Sequence, residues 1–199
     1  MKFMQSFFGA AQPLDPVAKA LAAATPVAVA GPWRRINVLG VGGLNALGFN
    51  RKSEEMLVTS VNGQSVISGD TGEILYRNRD DDGLDISALK GTRLDHPADE
   101  RFDMAGLFGG ALRTVTDDGW SIEPLAGSSG VHCVLQPPGA SVHFADPKWA
   151  AHNKDATFHL IARESEDIRA FGFSWTGRTL VLATPSDLTL WNRPAPLSL

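Results

Sequence analysis

The stretch Arg169-Ala170-Phe171-Gly172-Phe173-Ser174-Trp175-Thr176-Gly177-Arg178-Thr179-Leu180-Val181-Leu182-Ala183-Thr184-Pro185-Ser186-Asp187-Leu188-Thr189-Leu190-Trp191-Asn192-Arg193 decides the fold. Ala170, Phe171 and Phe173 form an apolar run before a Thr176-Gly177 turn, and Leu180 to Ala183 form a second. Pro185-Ser186-Asp187 then breaks the chain, and Leu188-Thr189-Leu190-Trp191 alternates apolar with polar. Short apolar runs bounded by turn residues predict three consecutive antiparallel strands. The same grammar occurs 124 residues earlier without a gap. Asn45 to Asn50 lies over Arg169 to Ser174, Met56 to Ser60 over Leu180 to Thr184, and Gln64 to Ile67 over Leu188 to Trp191. Ala46, Gly48 and Phe49 are identical to their counterparts, so what repeats is mostly pattern.

The phrase Ala170-Phe171-Gly172-Phe173-Ser174, the turn at Gly177, the run Arg178 to Thr184 and the closing Ser186-Asp187-Leu188-Thr189-Leu190-Trp191 resemble a blade of a WD40-type β-propeller. On that resemblance Asp187 is the blade aspartate that caps a tight turn and Trp191 the blade tryptophan, with Asn192 replacing the usual following aspartate. The earlier copy departs further. Gly63 stands in place of Asp187 and Ile67 in place of Trp191, while Ser68 to Glu73 resembles the turn into a fourth strand, Ile74 to Arg77. The two copies cover residues 45–77 and 169–193. The resemblance implies a binding scaffold and names no chemistry.

A spacing of 124 residues is close to three blades of about 40–45 residues each. Nothing near residues 86 or 128 repeats the Gly-Phe-Ser phrase. The expected fold is therefore mainly β: two blade-like antiparallel sheets in one compact domain with a short N-terminal helix. A degenerate four-bladed propeller is the alternative.

At 199 residues the chain can bury one sizeable core. A formal net charge of −4 disfavours nucleic acid as partner. A single cysteine, Cys133, cannot form an internal disulfide, which fits a reducing compartment and a cytoplasmic location. No apolar run is long enough to span a bilayer. Met1 to Gly9 contains Phe3, Met4, Phe7 and Phe8, but Gln5 and Ser6 interrupt the run, so it reads as an arm packing on the body rather than a signal. Asp15-Pro16 opens a helix over Val17 to Thr25, which Pro26 stops. Residues 1–30 are read as arm and helix, and 31–199 as the β domain.

Trp33 to Gly40 predicts a strand, and Gly40-Val41-Gly42-Gly43 after it a tight turn. A phosphate loop of the dinucleotide or P-loop kind needs a following helix, and a strand follows here. Asn62-Gly63 predicts a type I′ hairpin within 55–68. Asn78 to Gly83 resembles the start of a calcium loop, but Leu89 stands where a bidentate glutamate is required, so no metal site is expected. A solvated acidic loop facing a partner is the reading of Asp80, Asp81, Asp82 and Asp85. Residues 84–111 read as irregular, with helical turns at Asp85 to Leu89 and Ala98 to Met104 and an exposed apolar patch of Phe102, Leu107 and Phe108. A hairpin is expected over Leu112 to Glu123 about Asp117-Asp118-Gly119, then strands at Val131 to Leu135 and Ala156 to Ala162, with Ser141 to Asn153 as a loop.

His132, His143, His152 and His159 with Cys133 have no zinc spacing, and His132 and Cys133 point to opposite faces of a strand. Gly127-Ser128-Ser129-Gly130 is a turn, not a nucleophile elbow. No catalytic residue and no cofactor is expected. The function expected is non-catalytic protein binding, one form being a cytosolic immunity protein that neutralises a toxin by direct contact. The partner surface is Asp80, Asp81, Asp82, Asp85, Phe102, Leu107 and Phe108. The alternatives are a degenerate propeller scaffold in a larger assembly and a hydrolase-type enzyme with a histidine-carboxylate site.

Overall fold

The computed structural model describes residues 16–95, 101–127, 130–139, 158–165 and 167–194. Helix α1 (Pro16–Ala23) precedes strands β1 (Val29–Ala30), β2 (Trp33–Gly40), β3 (Leu44–Phe49), β4 (Glu55–Ser60), β5 (Gly63–Ser68) and β6 (Ile74–Asn78). Next come β7 (Leu84–Asp85), β8 (Lys90–Thr92), β9 (Arg101–Asp103) and β10 (Ala105–Gly106). The rest are β11 (Ser121–Gly127), β12 (Gly130–Gln136), β13 (His159–Glu164), β14 (Ala170–Phe173), β15 (Thr179–Ala183) and β16 (Asp187–Asn192). They form four antiparallel sheets, ordered β10-β3-β4-β5-β6, β7-β8-β9, β11-β12-β13 and β1-β2-β16-β15-β14. The fold is mainly β, and the two five-stranded sheets are the two copies read in the sequence.

Their geometry agrees residue for residue at the spacing of 124. Phe49 pairs with Met56 as Phe173 pairs with Leu180, and Met56 with Ile67 as Leu180 with Trp191. The Gly69 amide donates to Glu54 O at 2.7 Å, as that of Arg193 does to Arg178 O at 3.0 Å. A register shift falls between Val66 and Ile67 against β6, and between Leu190 and Trp191 against β2. Two ladders sharing register, closing bonds and bulge position have one backbone plan, because a slip of one residue would send the apolar set to the wrong face. They differ in the source of the outer strand. In the first copy β6 follows β5 directly, whereas in the second β2 from the other end of the sequence completes the sheet beside β16.

Each sheet is apolar on the faces it stacks. Trp33, Phe173, Leu180, Leu182 and Trp191 pack with Trp120, Ile122, Cys133, Leu135 and Ile161 of the β11-β12-β13 sheet. The opposite face of the same β14-β15-β16 layer, through Val181, Ala183, Leu188 and Leu190, meets Leu44, Leu47, Phe49, Met56 and Ile67. Ala46, Leu57 and Val66 then pack with Phe102, Met104 and the half-buried Leu84. The spatial order is thus a fan: β11–β13, the second copy, the first copy, β7–β9. Among the described residues no core cluster joins the two outer sheets, and no closed ring is formed.

Gly48 and Gly172 occupy the same place in the two inner strands for a steric reason. A Cβ on Gly48 would stand 2.3 Å from Asp103 O, and one on Gly172 2.6 Å from Arg113 O. Each inner strand is flanked by chain from the 103–113 segment, which pairs with β3 through β10 and bridges Phe173 through Arg113. Helix α1 sits where Leu21 is buried and Arg163 Nη2 donates to Leu21 O and Ala24 O at 3.2 and 3.1 Å.

Several expectations are corrected. The expected helical turn over Ala98 to Met104 contains β9, because Phe102 alternates inward between Arg101 and Asp103 while the strand pairs with β8. In place of a helical turn over Asp85 to Leu89, Asp85 ends β7 and pairs with Lys90, and Ile86 to Leu89 form the turn into β8. The hairpin expected over Leu112 to Glu123 is present but short, made by the Val115–Ser121 bridge and by donation of the Thr116 amide to Trp120 O at 2.8 Å and of the Ile122 amide to Thr114 O at 3.0 Å, and β11 runs on to Gly127 against β12. The Asn62-Gly63 hairpin forms, but only Gly63 has positive φ, at 92°, so the turn is not type I′. Gly63 is needed there because Asn78 O lies 2.2 Å from where its Cβ would be. The turn before β16 is capped by the Thr184 hydroxyl, which accepts from the Ser186 and Asp187 amides at 3.3 and 3.0 Å, a role the resemblance gave to Asp187. The Met1 to Asp15 arm, Ser128-Ser129, the Ser141 to Asn153 loop, His143 and His152 lie outside the described residues.

Candidate functional site

Residues 104–110 turn back on themselves at the edge of the first copy. The Gly106 amide donates to Gly109 O at 2.9 Å and the Gly109 amide to Gly106 O at 3.1 Å, which places Leu107 and Phe108 at the tip. The base is tied to the sheet by pairing of Gly106 with Ala46 and by donation of the Leu107 amide to Asn45 O at 2.7 Å. Leu107 is 47% and Phe108 43% exposed. Two large apolar side chains held outward by a closed backbone bridge are costly to leave in water and fit a contact surface.

The tip adjoins the turn between β7 and β8. A Cβ on Gly109 would stand 3.8 Å from Leu89 Cδ1, and the Met104 amide donates to Leu89 O at 2.9 Å. Leu89 has φ of 51°, a left-handed conformation that costs a β-carbon-bearing residue roughly 1 kcal/mol. Ile86 in the same turn is 51% exposed. The structure therefore adds Ile86 to Leu107 and Phe108. An isolated isoleucine in an irregular segment gave no sequence signal.

Phe102 does not belong to this surface. It is fully buried against Ala46, Leu57 and Met104, because strand alternation in β9 turns it inward.

The acidic residues are placed by their own hydrogen bonds. Asn78 Oδ1 accepts from the Asp80 and Asp81 amides at 2.8 and 3.1 Å. Asp81 Oδ1 accepts from Gly83 N at 2.9 Å, and Asp82 Oδ1 from Leu84 N at 3.0 Å. Asp85 Oδ1 accepts from Ser87 Oγ at 2.7 Å and Ala88 N at 3.1 Å, and those bonds hold its carboxyl below the usual range. The loop is anchored from below by buried Gln64, whose Nε2 donates to Asp82 O and Thr92 O and whose Oε1 accepts from Leu94 N, each at 3.0 Å. Asp80, Asp81 and Asp85 are exposed and Asp82 is half-buried, so the loop is ordered and presents negative charge beside β7.

A second concave region, about 150 Å³ and lined by Phe49, Asp103, Arg113, Phe173 and Trp175, lies between the inner strands. Its charges are already paired. Asp103 binds Lys90 and, at 2.6 Å, Arg51, and these bonds hold its carboxyl below the usual range. Arg51 also stacks 4.5 Å over the Trp175 ring, and Arg113 binds Trp175 O at 2.7 Å and Asp117 at 2.5 Å.

His132 and Cys133 alternate on β12 as strand geometry requires. Burial, then the Arg163 charge, lowers the His132 pKa, while burial and then Glu164 push the Cys133 thiol up to about 12. His159 lies stacked on Trp120, with ring centroids 6.4 Å apart. Among the described residues no three His, Cys, Asp or Glu side chains gather to hold a metal, and no helix is long and apolar enough to cross a membrane. Compared with known family models and with curated proteins, the chain matches none.

Proposed function

We propose that this chain is a non-catalytic protein-binding β module that docks a partner on the Leu107–Phe108 tip, with Ile86 beside it and Asp80, Asp81, Asp82 and Asp85 supplying negative charge. The observation that carries the reading is the exposure of two adjacent large apolar side chains on a hydrogen-bonded turn. Rigid apolar anchors give up little conformational entropy on binding, and neighbouring carboxylates steer a basic surface towards them. The partner expected is a protein with an apolar pocket rimmed by Lys or Arg. Neutralisation of a cytoplasmic toxin by an immunity protein is one form of such binding.

A WD40-like scaffold in a larger assembly is the second reading. It is favoured by the stacking of blade-like sheets and by completion of the second copy with a strand from the opposite end of the sequence.

The test is affinity capture from the native host with the wild-type chain and with Phe108→Asp. The binding reading expects one stoichiometric partner, lost in the variant while the far-UV spectrum and melting temperature stay unchanged. A set of many co-purifying subunits favours the scaffold. Recovery of the same partner in equal yield by Phe108→Asp excludes the tip as the docking surface.

A further inference from the structure

The Gly40-Val41-Gly42 turn leads into a strand and so forms no phosphate loop of the helix-capped kind, but it lines the wall of a different kind of site. A cavity of about 270 Å³ lies between the outer strands of the two copies. Leu39, Val41, Val58, Ile67 and Ile74 give it apolar surface, and Ser60, Asn62, Ser65, Arg77 and Arg79 give it polar groups. Two arginines and no carboxylate line it, in a chain whose net charge is −4. The lining itself is therefore cationic where the chain as a whole is anionic, which favours an anion there.

Strand geometry explains the arrangement. Arg77 lies on β6 and Arg79 in the bend just after it, and both side chains line the cavity. Ser65 pairs with Arg77 across the ladder, and its Oγ accepts from Arg77 Nε at 3.2 Å, which steadies the guanidinium and leaves its terminal nitrogens for a ligand. Arg79 is exposed and makes no ion pair with the described residues. In the acidic loop that follows, Asp81 and Asp82 accept from the amides of Gly83 and Leu84. Opposite stands bare backbone: nothing lies within 4 Å of a Cβ placed on Gly40, and Asn62 Nδ2 reaches Gly42 O at 3.4 Å.

We infer that this cavity binds a small organic oxyanion, a phosphate monoester or carboxylate with an apolar body, through the paired Arg77 and Arg79 guanidiniums over an apolar floor. The fork geometry of arginine suits two-oxygen recognition of phosphate and carboxylate. A cavity just below the range of about 300–1,000 Å³ typical of drug-sized ligands suits a single ring with one charged group. This site is separate from the Leu107–Phe108 tip and does not depend on it.

The experiment is an amide-resolved NMR titration of the full chain with phenyl phosphate, benzoate, inorganic phosphate and phenol. Phenyl phosphate is expected to give saturable shifts at Gly40, Gly42, Ser65, Arg77 and Arg79, with inorganic phosphate and phenol each at least about tenfold weaker because each lacks half of the match. Comparison with benzoate tells phosphate from carboxylate preference. Arg79→Gln, a change in the exposed bend after β6, should weaken phenyl phosphate by about tenfold, and Arg101→Gln should leave it unchanged. Absence of saturable shifts at these amides, equal binding of phenol, or unchanged affinity in Arg79→Gln would each overturn the inference.

Discussion

Replacing Arg193 should unfasten three parts of the molecule at once. Its side chain is 3% exposed, and every polar atom has a partner. Nε donates to Gly177 O at 2.7 Å, while Nη1 and Nη2 grip the two oxygens of Asp118 at 2.6 and 2.7 Å. The guanidinium plane also lies 4.6 Å from the Trp33 ring. In Arg193→Ala the Gly177 carbonyl is left unsatisfied, costing about 1–3 kcal/mol, and the stack over Trp33 is lost at about 0.5–2 kcal/mol. Breaking a fully buried pair costs about 3–5 kcal/mol, but the Asp118 side chain is 37% exposed and can rehydrate, so the lower end applies. The expected loss is about 3 kcal/mol, or roughly 6–12 °C in melting temperature for a chain of this size. Urea unfolding of Arg193→Ala, Asp118→Asn and the double variant reads it, with a coupling energy of about 1–2 kcal/mol expected. The pair also fixes a pH dependence. The Arg193 bonds hold the Asp118 carboxyl at about 2, below its ordinary 3.8. A depressed carboxyl stabilises the fold above the unfolded value, and that contribution is lost as pH falls from about 4 through 2. At 1.36 kcal/mol per pH unit the drop corresponds to about 2.4 kcal/mol, which solvent screening at a 37% exposed side chain reduces to about 1 kcal/mol. Asp118→Asn should remove that acid-side slope. A loss under about 0.5 kcal/mol in Arg193→Ala, or no measurable coupling, would refute the reasoning.

Cys133 is fully buried with its thiol pushed up to about 12, so the folded chain should not react with a thiol reagent at pH 8. Labelling should follow the unfolding rate, and reaction within seconds in native buffer would contradict the packing. Because β2 pairs with β16 and Asn192 lies opposite Arg34, a circular permutant opened between Gly42 and Gly43, with residue 194 joined to residue 16 by a flexible linker, should fold to the same sheet pairing. It should refold faster than the parent because the closing contact becomes local, and slower refolding with an altered far-UV spectrum would argue against the strand exchange.

The two copies were legible because their information is local. Apolar runs of strand length, a turn residue at each end and the glycines at Gly48 and Gly172 are written within a few residues of each other, and the shared register follows from alternation alone. What the sequence concealed was non-local. Nothing in Trp33 to Gly40 announces that this strand belongs to a sheet formed near the other end of the chain, since outer strands carry less apolar patterning: Ile36 and Val38 are exposed. The burial of Phe102 is hidden from the sequence for a related reason. In a segment rich in Gly and Asp, three residues of strand are too few to show a period, and only the pairing with β8 fixes which way the ring points. The same limit applies to function. The acidic loop and the Leu107-Phe108 pair are contiguous in sequence and could be singled out. The cavity lined by Arg77 and Arg79 instead depends on Leu39 and Val41 of the 33–41 stretch coming to rest beside the first copy's outer strand. Its position follows from the strand exchange, because β2 is the outer strand of one copy and β6 that of the next. A ligand seated there would touch both copies and would stabilise the junction where the two ends of the sequence are joined into one fan.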